Sequence, residues 1–158
     1  MPLVPASLAA SLANDWLVPE GGSYPGSVAD SADRFAAAVA SWFSGAMAAG
    51  FPCATATARR PQLSGSAIAA FTAQNPDAAG AMLAIALMGY MAGQAFGPGI
   101  ASPPTATAAA QTALAAVFRN LNADNQARAQ RIALAVHALA LTTIVVFPPV
   151  ISPPLPVV

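Results

Sequence analysis

Large apolar residues fall at three- and four-residue spacing along most of this chain, the pattern of helices that bury one face. The clearest run is Phe35, Val39, Trp42, Phe43 and Met47. It predicts an amphipathic helix over about 27–49, with Ser27 as its cap, Asp30 in its first turn and Gly50 as its stop. Asp33 and Arg34 mark its wet side. Ahead of it, residues 5–18 predict a short helix with Leu8, Leu12 and Trp16 on one side, and 20–26 form a turn-rich connector. Behind it, Cys53–Ala58 alternates as a short extended segment, and Arg59-Arg60-Pro61 reads as loop. Residues 64–74 read as a short helix carrying Ile68 and Phe71.

The next stretch departs from that pattern. Asn75 caps a helix, Pro76 suits its first turn, and Asp77 complements the positive end of its dipole. From Ala78 to Phe96 nothing is charged, and Met82, Leu83, Ile85, Leu87, Met88, Tyr90 and Met91 point all round the cylinder. The expected helix is 76–96, stopped by Gly97-Pro98-Gly99. A helix apolar on every side belongs inside a core, an assembly or a membrane.

Two more helices follow, 105–120 with Leu114, Val117 and Phe118, and 123–141 with Asn122 as its cap. Asp124 and Arg128 stand in the favourable i,i+4 order, and the second helix is polar at its start and apolar from Ile132 on. Thr142–Phe147 is the one β-branched run and predicts a strand, with Ala54–Thr57 or another subunit as its partner. Residues 148–158 hold five prolines and predict an extended arm of polyproline II, roughly 34 Å long at about 3.1 Å per residue. Its Val150, Ile151 and Leu155 suit the surface of a neighbouring subunit. The expected fold is mainly α: one Ala-rich domain of five to six helices over 1–147, ending in a short strand, then the arm. Gly50-Phe-Pro and Phe96-Gly-Pro echo one another, but matches this short arise by chance in a chain with 42 alanines and establish no duplication.

Charge changes the picture. Only 8% of the 158 residues are charged, lysine is absent, and the net charge is +0. Soluble proteins usually carry about a quarter charged residues. Such a surface favours association, so the chain is expected to hide much of itself against other proteins. The six arginines are scattered and matched by six acids, which argues against nucleic acid; only Arg59-Arg60 offers a paired cation. Met1 to Asn14 carries no Lys or Arg, unlike the start of a signal peptide.

The sequence assembles no catalytic, cofactor or metal site. His137 is the sole histidine, on a stripe with Gln126 and Gln130 and no adjacent nucleophile or carboxylate; a half-buried helical histidine explains it. One histidine and Cys53 alone cannot make a zinc site or an internal disulfide. Asp30 and Asp33 are better explained by the helix dipole than as a cation pair. Gly21-Gly22 and Gly97-Pro98-Gly99 lack the strand–loop–helix setting of a phosphate loop. Gly89-x-x-x-Gly93 is a spacing at which two helices approach closely, in a membrane or in a soluble protein.

Two readings compete. Uncharged stretches 78–96 and 132–147 would make two membrane spans, for example of a pore, but they lack flanking Lys/Arg bias and aromatic belts. The stronger reading is a non-catalytic structural subunit, a homo-oligomer that also binds other structural proteins through 142–158. An enzyme with an inter-subunit site is a remote third. The final helix, strand and Pro-rich end, Ala135-Val-His-Ala-Leu-Ala-Leu-Thr-Thr-Ile-Val-Val-Phe-Pro-Pro149, resembles small Ala-rich structural proteins of tailed-bacteriophage virions. That resemblance covers residues 105–158 and carries over no residue roles. It implies a neck, tail or baseplate component present in several copies in the virion.

Overall fold

The computed structural model describes residues 3–18, 21–149 and 155–157. The fold is mainly α, with six helices among those residues: α1 Pro5–Ser11, α2 Val28–Phe43, α3 Arg60–Thr72, α4 Pro76–Met91, α5 Thr107–Arg119 and α6 Asn125–Leu141. A π-helical turn, Leu12–Trp16, prolongs α1. Short strands lie between them: β1 Met47–Ala48, β2 Phe51–Pro52, β3 Ala95–Phe96, β4 Gly99–Ala101, β5 Ile144–Val146 and β6 Leu155–Pro156.

The helices pack in chain order from α2 to α6, and α1 with its π-helical turn fills the place between α6 and α2, closing a ring. Since α2, α4 and α6 run into strands and α3 and α5 leave them, all strands gather at one end of the ring. There β1 and β2 form one hairpin, and β3-β4-β5-β6 form an antiparallel sheet in chain order. A bridge between Cys53 and Phe96 joins the two. At the other end, Trp16 stacks on Phe71 at 5.2 Å and meets the edge of Phe35 at 5.0 Å, tying the first segment to α2 and α3.

Several helices stop earlier than their apolar pattern suggests. The helix expected over 27–49 ends at Phe43, because Ala49 (φ 51°) and Gly50 (φ 84°) are the two-residue turn of the β1–β2 hairpin. The one expected over 76–96 ends at Met91; Ala92 is already extended and Gly93 has φ 80°. Gly97-Pro98 is then the β3–β4 turn, with glycine at the positive-φ position (57°). Both glycines also make room for aromatic rings. A Cβ on Gly97 would stand 2.7 Å from Phe51 Cγ, and one on Gly99 2.6 Å from Phe147 Cε1. No helix among the described residues is long and apolar enough to cross a membrane.

Other expectations shift as well. Arg60 and Pro61 belong to the first turn of α3 rather than to a loop. Asp124, not Asn122, caps α6, accepting from Ala127 N at 2.6 Å. Arg128 does not pair with Asp124; its Nη2 donates to the carbonyls of Leu121 (2.9 Å) and Asn120 (3.2 Å) at the end of α5. Strand β5 pairs with β4 and β6, while Ala54 instead donates to Ala95 O at 2.8 Å. Of the segment expected as a free arm, residues 155–157 return to their own chain: Leu155 pairs with Val145, and Val157, fully buried, donates to Thr143 O at 3.2 Å. Residues 150–154 and 158 lie outside the described residues.

The structure contains a repeat of elements, although the echoed triplets do not occupy equivalent positions in it. Helix, hairpin and helix recur as α2–β1β2–α3 and α4–β3β4–α5, and α6–β5β6 starts a third unit. The leading helices begin at Val28, Pro76 and Asn125, 48 and 49 residues apart. Within this repeat Phe51-Pro52 follows the first turn in β2, whereas Phe96 precedes the second turn in β3. In the third unit α1, from the other end of the sequence, occupies the ring position of the missing second helix.

Close helix packing occurs at a glycine the motif did not include. A Cβ on Gly80 of α4 would lie 2.7 Å from Ala115 Cα and 2.9 Å from Ala115 Cβ of α5. At Gly89 a Cβ would meet nothing within 4 Å, and Gly93 is past the helix end, beside the Arg59 guanidinium. The Gly89-x-x-x-Gly93 spacing therefore does not mark the close approach.

Candidate functional site

The residue types that carry chemistry are turned to holding the fold. Gln94 is fully buried under the β3 end of α4. Its Oε1 accepts from Thr55 Oγ1 at 2.6 Å and from Cys53 Sγ at 3.4 Å, and its Nε2 donates to Tyr90 O at 2.9 Å. Thr55 Oγ1 in turn accepts from Ala95 N at 2.9 Å. Tyr90 OH donates to Ala56 O at 2.9 Å, and burial pushes its phenol well above the ordinary value of 10.0. Burial likewise raises the Cys53 thiol, the reverse of what a nucleophile needs. Arg59 turns inward, donating from Nη1 to Ala92 O and from Nη2 to Gly89 O (3.0 Å). A cation at the carbonyl end of α4 complements its dipole and satisfies carbonyls that have no partner in the helix.

The remaining candidates are dispersed in the same way. Arg60 pairs with Asp33, so neither half of the Arg59-Arg60 pair is offered to a phosphate. Asp30 pairs with Arg34 at 3.1 Å and accepts from Gly26 N at 3.0 Å; the Arg34 hydrogen bond, then that from Gly26, lowers its pKa. Asp30 and Asp33 are thus committed to different arginines. Asp77 and Arg119 join the start of α4 to the end of α5. His137 is half-buried with its ring 6.2 Å from that of Trp42, edge to face. Among the described residues no carboxylate or nucleophile pairs with it, and no group of His, Cys, Asp or Glu stands together as metal ligands.

What the arrangement does offer is a segregated surface. Asp15, Asp30, Asp33, Arg34, Asp77, Arg119, Asp124, Arg128 and Arg131 lie on the halves of the helices away from the strands, while Arg59 and Arg60, at the start of α3, stand at the strand end, held by the α4 carbonyls and by Asp33. Residues 44–58, 92–106 and 142–149, which build the strand end, contain no charge at all. The sheet alternates there: Val145 and Ala101 face inward, while Ile100 (51% exposed), Ile144 (40%) and Val146 (56%) face out. Ile100 stands opposite Val146, and Ile144 opposite the exposed Pro156, so these side chains form one apolar face. A sheet with both faces apolar is a sheet to be covered on both. The sequence held the signal, a β-branched run inside a charge-free stretch, but it did not show that 100 and 146 are neighbours.

No protein family, curated protein or solved structure matches this chain.

Proposed function

We propose that this chain is a non-catalytic structural subunit, a bacteriophage virion protein of the neck, tail or baseplate kind, present in several copies and bound to other structural proteins. The observation that carries the assembly reading is the charge-free sheet face of Ile100, Ile144 and Val146 at one end of a ring, where the charges among the described residues, Arg59 and Arg60, are engaged by the α4 carbonyls and by Asp33. Covering it removes apolar surface from water at about 25 cal/mol per Å² and desolvates no charge. The virion assignment draws further support from the pattern at 135–149, a helix running into a β-branched strand and prolines.

Single substitutions Ile100→Asp and Val146→Asp test the face. Each side chain points outward, so helical circular dichroism stays that of the parent while the mass by light scattering falls to a smaller species. An unchanged mass in both folded variants overturns the role of this face. Mass spectrometry of purified particles tests the virion assignment separately: the protein's peptides are expected at several copies per particle, and their absence refutes it.

A further inference from the structure

The end of the ring away from the sheet holds a cleft of about 270 Å³, walled by Trp16, Val117, Phe118, Leu121 and Ile132. Among the described residues its one charged wall residue is Arg128. The guanidinium is only partly used: Nη2 donates to the carbonyls of Asn120 and Leu121, but Nε is buried with no hydrogen-bond partner among the described residues. A buried N–H without an acceptor is rare in folded proteins and calls for an explanation. No acid among the described residues supplies one. Asp124, one turn earlier, is turned to Ala127 N, and the ion pairs among the described residues involve other arginines.

The backbone beside this cleft is unusual in two independent ways. Leu12–Trp16 is a π-helical turn, a form that recurs at functional sites, and it carries Trp16. Val18, two residues on, has φ 54°, a region that β-branched residues avoid. Asn125 holds it there, donating from Nδ2 to Leu17 O at 2.9 Å and to Val18 O at 3.1 Å, from the same helix as Arg128. Strain that neighbouring structure pins in place is a feature of ligand clamps.

We propose that this cleft binds a small amphiphilic carboxylate: an apolar chain lies against Trp16, Val117, Phe118 and Ile132, and the carboxylate accepts from the Arg128 guanidinium on the cleft wall. The volume sits at the small end of ligand pockets and fits a medium-length chain or a single ring. The charge-assisted hydrogen bond is what selects an acid over a neutral amphiphile. This site lies at the opposite end from the sheet face and does not depend on the assembly reading.

The test is a titration of the full chain with sodium octanoate and, in parallel, with 1-octanol, followed by ¹H–¹⁵N correlation spectra. The expected result is saturable shifts at the Trp16 indole and at amides of residues 117–121 and 128–132, with octanol weaker by about tenfold. Arg128→Gln brings the two affinities together. The proposal is overturned by the absence of saturable shifts, by shifts centred away from Trp16, 117–121 and 128–132, or by octanol binding as tightly as octanoate. Because the acid-to-alcohol ratio is read in the unmodified protein, it decides the matter even where Arg128→Gln unfolds the chain.

Discussion

Gly80→Ala and Gly89→Ala add the same methyl group to the same helix and are expected to act with opposite sign. In a helix interior, replacing glycine with alanine is worth about 0.5–1 kcal/mol in favour of the folded state. At Gly89 nothing lies within 4 Å of the new Cβ, so the gain stands. At Gly80 the Cβ would be 2.7 Å from Ala115 Cα and 2.9 Å from its Cβ, and the obstruction is backbone, which cannot rotate aside. Ordinary contact begins near 3.5 Å, so α4 and α5 must separate by most of an ångström along a joint where both carry buried residues (Ala79, Leu83 and Leu87 on α4, Leu114 and Ala115 on α5). Overpacking of this kind costs about 1–3 kcal/mol or more, which exceeds the propensity gain. The net expectation is a loss of about 1–2 kcal/mol for Gly80→Ala and a gain of about 0.5–1 kcal/mol for Gly89→Ala. Urea unfolding followed by circular dichroism measures both, with melting temperatures moving about 2–4 °C per kcal/mol at this size. A Gly80→Ala variant as stable as the parent would refute the packing argument, and a Gly89→Ala variant that loses as much would put the helix contact back at the 89–93 spacing.

Three further outcomes follow from the polar interior and the turns. Arg59→Met removes the donor to the Gly89 and Ala92 carbonyls, a charge-assisted pair worth about 1.5–3 kcal/mol; chemical denaturation should show that loss, with amides 91–95 exchanging faster. Burial raises the Tyr90 phenol, so the folded chain keeps a proton that the unfolded chain releases above pH 10. Stability is therefore full below pH 10 and falls as pH climbs beyond it; between pH 9 and 11 the melting temperature of Tyr90→Phe should drop less than that of the parent. Ala49 holds φ 51° in the β1–β2 turn, where a Cβ costs about 1–2 kcal/mol and glycine about 0.4–1 kcal/mol in entropy. Ala49→Gly should thus raise stability by about 0.5–1 kcal/mol in the same denaturation assay.

The helix starts were legible where a side chain announces them. Ser27 accepts from Asp30 N at 3.0 Å, and Asn75 accepts from Asp77 N at 2.8 Å, as the sequence suggested. Phe35, Val39 and Phe43 are fully buried, as their spacing implied. The helix ends were not legible, because what stops them is distant in sequence. Residues 44–49 and 92–96 mix alanine with one glycine each, so their composition alone does not fix the end; in the second stretch Gln94 is held by Thr55 and the α4 carbonyls by Arg59. Strands of two residues show no alternation, so the hairpins and the repeat were hidden until their positions in space were known. Gly80 stood among alanines without a partner glycine four residues away, and its role depends on Ala115, 35 positions later. Charge segregation was the feature most open to reading: the strand segments carry none, and the structure brings them to one end.

The central claim is that this end is covered by protein. Sedimentation equilibrium of the unmodified chain in detergent-free buffer, across a wide dilution series, tests it most directly. The account predicts a mass of several chains that drops toward the 15.7 kDa monomer only at the lowest concentrations. A mass of 15.7 kDa at every concentration, with the protein soluble and folded, would contradict it.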